Sequence, residues 1–135
     1  MAILTQRSGY RICEQFRVQT NGTTPVDILQ VLPGTVIDHV VARCETPGTG
    51  AANLTIGDDD DADGFVLAGD HTAAAGTHYG DAPTERGVYL RDATEKAGYV
   101  KAYNAAKTLK AVLSATGTTQ GTWQVTVEGY RVDIG

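Results

Sequence analysis

Residues 54–70 read Leu54-Thr-Ile-Gly-Asp-Asp-Asp-Asp-Ala-Asp-Gly-Phe-Val-Leu-Ala-Gly-Asp70. Five carboxylates fall inside the seven residues from Asp58 to Gly64. Leu54 and Ile56 precede them, and Phe65, Val66 and Leu67 follow. Two readings compete. With Asp59, Asp61 and Asp63 at positions 1, 3 and 5, Gly64 at 6 and Asp70 at 12, the spacing fits a calcium loop. With short β-rich flanks, the same residues are an acidic hinge between two strands. The flanks decide for strands: they lack the length and 3.6-residue period of helices. Asp70 is also shorter than the bidentate Glu that closes most calcium loops. A turn whose Asp side chains bond their own backbone accounts for the composition. Calcium on Asp59, Asp61, Asp63 and Asp70 stays as the one cofactor expectation, because clustered carboxylates repel one another without a cation.

The pattern recurs outward from the hinge. Tyr10–Thr20 alternates and ends at Asn21-Gly22, a turn signal. Val26–Leu32 ends at Pro33-Gly34, a pair suited to a type II turn. Thr35–Cys44 carries apolar residues on both faces, Val36, Val40, Ala42 and Cys44 on one and Ile37 and Val41 on the other, which places it centrally. Ala52–Ile56 and Phe65–Ala68 flank the hinge. Residues 69–86 show no periodicity and read as a long loop, the kind that carries function. Gly87–Asp92, Gly98–Asn104, Thr108–Ala115 and Thr122–Ile134 read as further strands. The last has Trp123, Val125 and Val127 on one face, then shifts parity at Gly129, which predicts a bulge there. Eight or nine short strands predict an all-β chain, a two-sheet antiparallel β-sandwich of jelly-roll type. Residues 1–9 read as an N-terminal arm and 10–135 as a single domain.

Composition narrows the function. The chain has 135 residues and a net charge of −5, with 41% hydrophobic residues. No basic stripe exists to neutralise phosphates, so nucleic acid is not an expected partner. No apolar run reaches membrane-spanning length, and the first residues lack a signal-peptide core. Cys13 and Cys44 sit in expected strands and read as buried free thiols. No nucleophile elbow, zinc-helix, phosphate-loop or dinucleotide motif occurs, so no enzyme is expected. His71 and His78 read as loop histidines and His39 as a satisfied core or interface histidine. The second-half tyrosines read either as core or as a surface platform.

Two segments together resemble the capsid decoration, or cement, proteins of tailed bacteriophages. One is Ile56-Gly-Asp-Asp-Asp-Asp-Ala-Asp-Gly-Phe65. The other is the C-terminal hairpin, Leu109–Ser114, a Thr/Gly turn and Thr122–Tyr130. The resemblance implies a non-enzymatic jelly-roll protein, made in the host bacterial cytoplasm. It would bind the major capsid protein on the outer surface of the virion as a dimer or trimer and brace the shell. Expected capsid contacts are Ile3, Leu4 and Arg7 of the arm and His71, His78 and Tyr79 of the long loop. The alternative is a calcium-dependent carbohydrate- or receptor-binding β-sandwich from a tail or a secreted protein.

Overall fold

The computed structural model describes residues 9–20, 22–91, 100–114 and 121–132. Among these residues lie nine strands: β1 (Gly9–Gln19), β2 (Val26–Val31), β3 (Thr35–Thr46), β4 (Asn53–Gly57), β5 (Val66–Asp70), β6 (His78–Tyr79), β7 (Lys101–Ala102), β8 (Lys107–Leu113) and β9 (Thr122–Val132). One sheet runs β1-β9-β3-β6, with β7 also paired to β3; the other runs β2-β8-β4-β5. Every pairing is antiparallel. The chain crosses between sheets from β1 to β2, β2 to β3 and β3 to β4, and again from β5 to β6, β7 to β8 and β8 to β9. This alternation is the jelly roll expected from the strand count.

Period-2 alternation builds the core. On β9, Trp123, Val125 and Val127 are fully buried; on β8 so are Leu109, Ala111 and Leu113, which face them from the other sheet. β3 is central, as its two apolar faces implied, but its inward set is Ile37, Val40, Ala42 and Cys44 rather than one starting at Val36. The cause is a bulge between Ile37 and His39 in the β3–β9 ladder, which shifts parity by one residue. The expected irregularity near Gly129 is thus real but belongs to the partner strand. β9 itself pairs with β1 residue for residue from Thr122 to Val132. Gly129 is nonetheless required: a Cβ there would lie 2.0 Å from the Val36 carbonyl oxygen.

Four expectations differ. The C-terminal strands do not form a hairpin: β8 pairs with β2 and β4 and β9 with β1 and β3, so they lie in different sheets. Residues 87–90 form a turn rather than a strand, closed by the Leu90 N–H donating to the Gly87 carbonyl at 3.1 Å. Leu90 is buried while Val88 is 56% exposed, so one apolar side chain plugs the core and its neighbour does not. The unpatterned stretch after Gly69 contains the end of β5, all of β6 and a 3-10 turn at Pro83–Glu85. β6 adds only two residue pairs to β3, too few for alternation to register in sequence. Cys13 is exposed on the outer face of an edge strand, and only Cys44 is buried. The expected arm residues 1–8 lie outside the described residues.

Candidate functional site

The acidic segment is a turn stapled to the core through Asp58. β4 ends at Gly57, where a Cβ would collide with the Asp61 carbonyl oxygen at 1.9 Å. The close approach lets Asp58 turn inward, and it is only 3% exposed. Its Oδ1 accepts the backbone N–H groups of Asp60 and Asp61, both at 3.0 Å, and the Tyr89 hydroxyl at 2.9 Å. Its Oδ2 accepts the Tyr103 hydroxyl at 2.6 Å. Burial alone would raise the Asp58 pKa, but the hydrogen bonds from Tyr103, Tyr89 and the two backbone amides outweigh it and hold the carboxyl below its ordinary range. Both tyrosine hydroxyls are pushed well above their usual range, first by burial and then by this carboxylate. Lys101 Nζ caps the pair, 4.2 Å from the Tyr89 ring centroid and 5.4 Å from that of Tyr103.

Two of the four remaining hinge carboxylates are answered by β8. Lys110 Nζ lies 2.6 Å from Asp59 Oδ1, and Lys107 Nζ lies 3.1 Å from Asp60 Oδ2. Asp63 donates its backbone N–H to Asp61 Oδ1 at 3.4 Å, and the hydrogen bond between the two side chains raises the Asp61 pKa, with burial adding to it. Asp70 is elsewhere. It pairs with Asn53 at the far end of the β4–β5 hairpin, and its Oδ1 accepts both the backbone N–H and the hydroxyl of Thr72 at 2.9 Å. Asp70 thus stands at the end of β5 away from Asp59, Asp61 and Asp63. A strand of extended backbone separates Asp70 from the other three, and two lysines supply the countercharge. Among the described residues no group of three or more His, Cys, Asp or Glu is placed to hold a metal ion.

The outer face of the β1-β9-β3-β6 sheet is polar and internally paired. Arg11 meets Asp38 at 2.9 Å and Arg17 meets Glu45 at 3.5 Å. Asp81 bridges His39 Nε2 at 3.2 Å and His78 Nδ1 at 2.8 Å, and Glu128 stands 3.7 Å from His39 Nδ1. Of the loop residues expected as contacts, His78 is exposed here. Tyr79 turns inward against Trp123, with ring centroids 6.2 Å apart. His71 is fully buried between the backbones of Gly48 and Gly121, so it offers no surface for a partner. Of the tyrosines read as core or platform, Tyr103 is core, Tyr89 packs edge-on against Phe65 at 5.2 Å, Tyr130 is exposed, and Tyr99 lies outside the described residues.

A third region had no sequence signal. β1 and β2 are the edge strands on the same side of the sandwich, one from each sheet. The seam between them is open, a groove of about 220 Å³ lined by Tyr10, Ile12 and Glu14 from β1 and by Leu29, Val31 and Leu32 from β2 and the turn after it. Among the described residues, two of the five exposed large apolar side chains line it, Tyr10 at 57% and Leu32 at 46%. Alternation marked these residues as strand-facing but carried nothing about which seam stays open.

No protein-family model and no curated protein matches the chain. Solved structures do. A chain of the "Cyanophage Pam1 capsid asymmetric unit" superimposes with a TM-score of 0.62 at 14% identity, covering 97% of this chain and 92% of that one. A chain of the "Acidic stable capsid structure of Helicobacter pylori bacteriophage KHP30" superimposes with a TM-score of 0.50 at 9% identity, covering 90% and 92%. At these identities the likeness is one of fold. No helix among the described residues is long and apolar enough to cross a membrane.

Proposed function

We propose that this chain is a non-enzymatic structural component of a phage virion that binds the outer surface of an icosahedral capsid as an oligomer and stabilises it. The carrying observation is the jelly roll shared along 97% of the chain with a chain from a cyanophage capsid, itself covered over 92% of its length. The likeness runs over nearly the whole of both chains. The hinge supports the same reading. Asp58, Asp59 and Asp60 are held by tyrosines, lysines and backbone amides, an arrangement that rigidifies a turn.

The mechanism is mass action. A protein that binds only the assembled shell adds its binding free energy to the assembled state. An oligomer that touches several capsid subunits at once raises the effective concentration of each contact. The polar, paired outer face of the five-stranded sheet remains compatible with solvent, as an exterior component requires. The partner is the major capsid protein.

The test is occupancy. Purified heads assembled with and without this protein are compared by mass spectrometry for copy number and by calorimetry for shell melting. A simple ratio to capsid subunits together with a higher shell melting temperature supports decoration. A handful of copies per particle, or heads that melt at the same temperature without the protein, overturns it. Deleting residues 2–8 tests the arm separately: reduced occupancy on heads is expected, and undiminished occupancy refutes the arm's role.

A further inference from the structure

We propose that the groove between β1 and β2 receives residues 3–7 of a second copy of this chain, so that copies associate by exchanging their N-terminal segments. The inference deepens the oligomer of the proposed function and rests on that reading only for the presence of a second copy.

The groove has two unlike walls. The β1 wall presents Tyr10, Ile12 and Glu14, which alternation puts on one face, with registers opposite Arg131, Gly129 and Val127 on β9. The β2 wall presents Leu29, Val31 and Leu32. Glu14 is exposed and has no ion-pair partner among the described residues, although it stands on the inward face of the strand. A carboxylate there blunts an edge against indiscriminate pairing. It also asks any occupant for a cation at one defined place.

The chain carries a matching segment. Tyr10, near the start of β1, lines the groove, and the residues before β1 read Ile3-Leu-Thr-Gln-Arg7-Ser8. In an extended segment Ile3, Thr5 and Arg7 share one side and Leu4 takes the other. The spacing from Ile3 to Arg7 equals that from Tyr10 to Glu14, about 13 Å in each case at the rise of a strand. Laid parallel to β1, the segment sets Ile3 against Tyr10, Thr5 against Ile12 and Arg7 against Glu14, and turns Leu4 towards Leu29 and Leu32. Charge and apolar pattern match both walls in this one direction.

Direction also decides which copy supplies it. A segment folding back from its own Gly9 would run antiparallel to β1. Arg7 would then lie beside Tyr10, and Ile3 and Leu4 would lie beside Glu14. The pattern is satisfied only by a segment entering from the opposite sense, which a neighbouring copy supplies. Such an exchange closes a ring if its rotation closes, the usual form of a homo-oligomer.

The test uses the full chain and measures mass by sedimentation velocity and light scattering. The wild-type protein is expected to be a dimer or trimer at micromolar concentration. Leu32→Asp on the groove and Leu4→Asp on the segment should each lower the association constant at least about tenfold. Leu32 is half-exposed, so its variant retains the fold, checked by circular dichroism. Arg7→Glu and Glu14→Arg should each weaken association, and mixing these two single variants should restore a hetero-oligomer, which a segment bound to its own chain cannot do. A wild-type monomer, an oligomer indifferent to all four substitutions, or charge variants rescued only when combined in one chain would overturn the proposal. Head occupancy separates this from the decoration reading. Exchange-dependent oligomers that ignore heads refute decoration alone; heads decorated by monomers refute the exchange alone.

Discussion

The Tyr103 hydroxyl donates a 2.6 Å hydrogen bond to Asp58 Oδ2, joining the segment that follows β7 to the buried end of the acidic hinge. The contact spans 45 residues of sequence and turns an acidic run that would repel itself into part of the core. Removing the hydroxyl leaves a buried carboxylate short of one charged hydrogen bond, which costs roughly 1.5–3 kcal/mol. Tyr103→Phe should therefore lower the urea midpoint clearly at pH 7. Tyr89→Phe should cost less, because Tyr89 is partly exposed and water can replace its hydroxyl. Equal effects would contradict the burial difference.

The same carboxyl sets an acid limit. Its folded pKa lies below the unfolded value of about 3.9, because the hydrogen bonds from Tyr103, Tyr89 and the hinge amides overcome burial. A depressed pKa contributes stability that is complete well above the unfolded value and is lost as pH falls through the folded one. Denaturation free energy should therefore decline below about pH 4. The difference between wild type and Tyr103→Phe should shrink over the same interval. A difference that holds constant down to pH 2.5 would show that Asp58 is not the titrating group.

Asp61 runs the other way. Its hydrogen bond with the Asp63 side chain, reinforced by burial, raises its pKa. A raised carboxyl favours the protonated folded state, so its contribution is present at low pH and lost as pH rises through the folded value. Asp61→Asn removes the repulsion while keeping an oxygen to accept the Asp63 N–H. The melting temperature at pH 7 should rise by about 1–2 °C, with no gain at pH 3. A fall at pH 7 would mean the negative charge at this position is needed.

Gly48 and His71 occupy one space. A Cβ on Gly48 would lie 1.9 Å from His71 Nε2, and the ring is fully buried. Gly48→Ala should cost at least about 2 kcal/mol. Combining it with His71→Ala should recover part of that loss, because the clash disappears with the ring. Strict additivity of the two substitutions, read by denaturant melts, would refute the shared-space account.

Calcium should not matter to the fold. Asp59 is held by Lys110, and Asp70 is bonded to Thr72 at the far end of the hairpin. Millimolar calcium or EDTA should leave the melting temperature unchanged within about 1 °C; ligand binding at a hundred times its dissociation constant would add about 2.7 kcal/mol. A larger shift would establish a site and favour the carbohydrate-module alternative.

The sequence by itself determined the class of this protein. Alternation in β1, β3, β8 and β9 is a local property of side chains, and it specified strands, faces and most of the core. Turn chemistry at Pro33-Gly34 and the acidic run specified where the chain reverses. What folding decided are the relations between segments distant in sequence. The spacing of Asp59, Asp61, Asp63 and Asp70 suggested a metal loop. Lys107, Lys110 and Tyr103, the partners of Asp60, Asp59 and Asp58, reach the hinge only once β8 lies beside β4 and β7 pairs with β3. His71 read as a loop histidine because burial depends on Gly48 and Gly121 closing over it, and neither neighbours it in sequence. The bulge on β3 inverted one stretch of parity, since register is fixed by the partner strand. The open seam between β1 and β2 has no counterpart in any one segment: it exists because two edge strands from different sheets end up side by side.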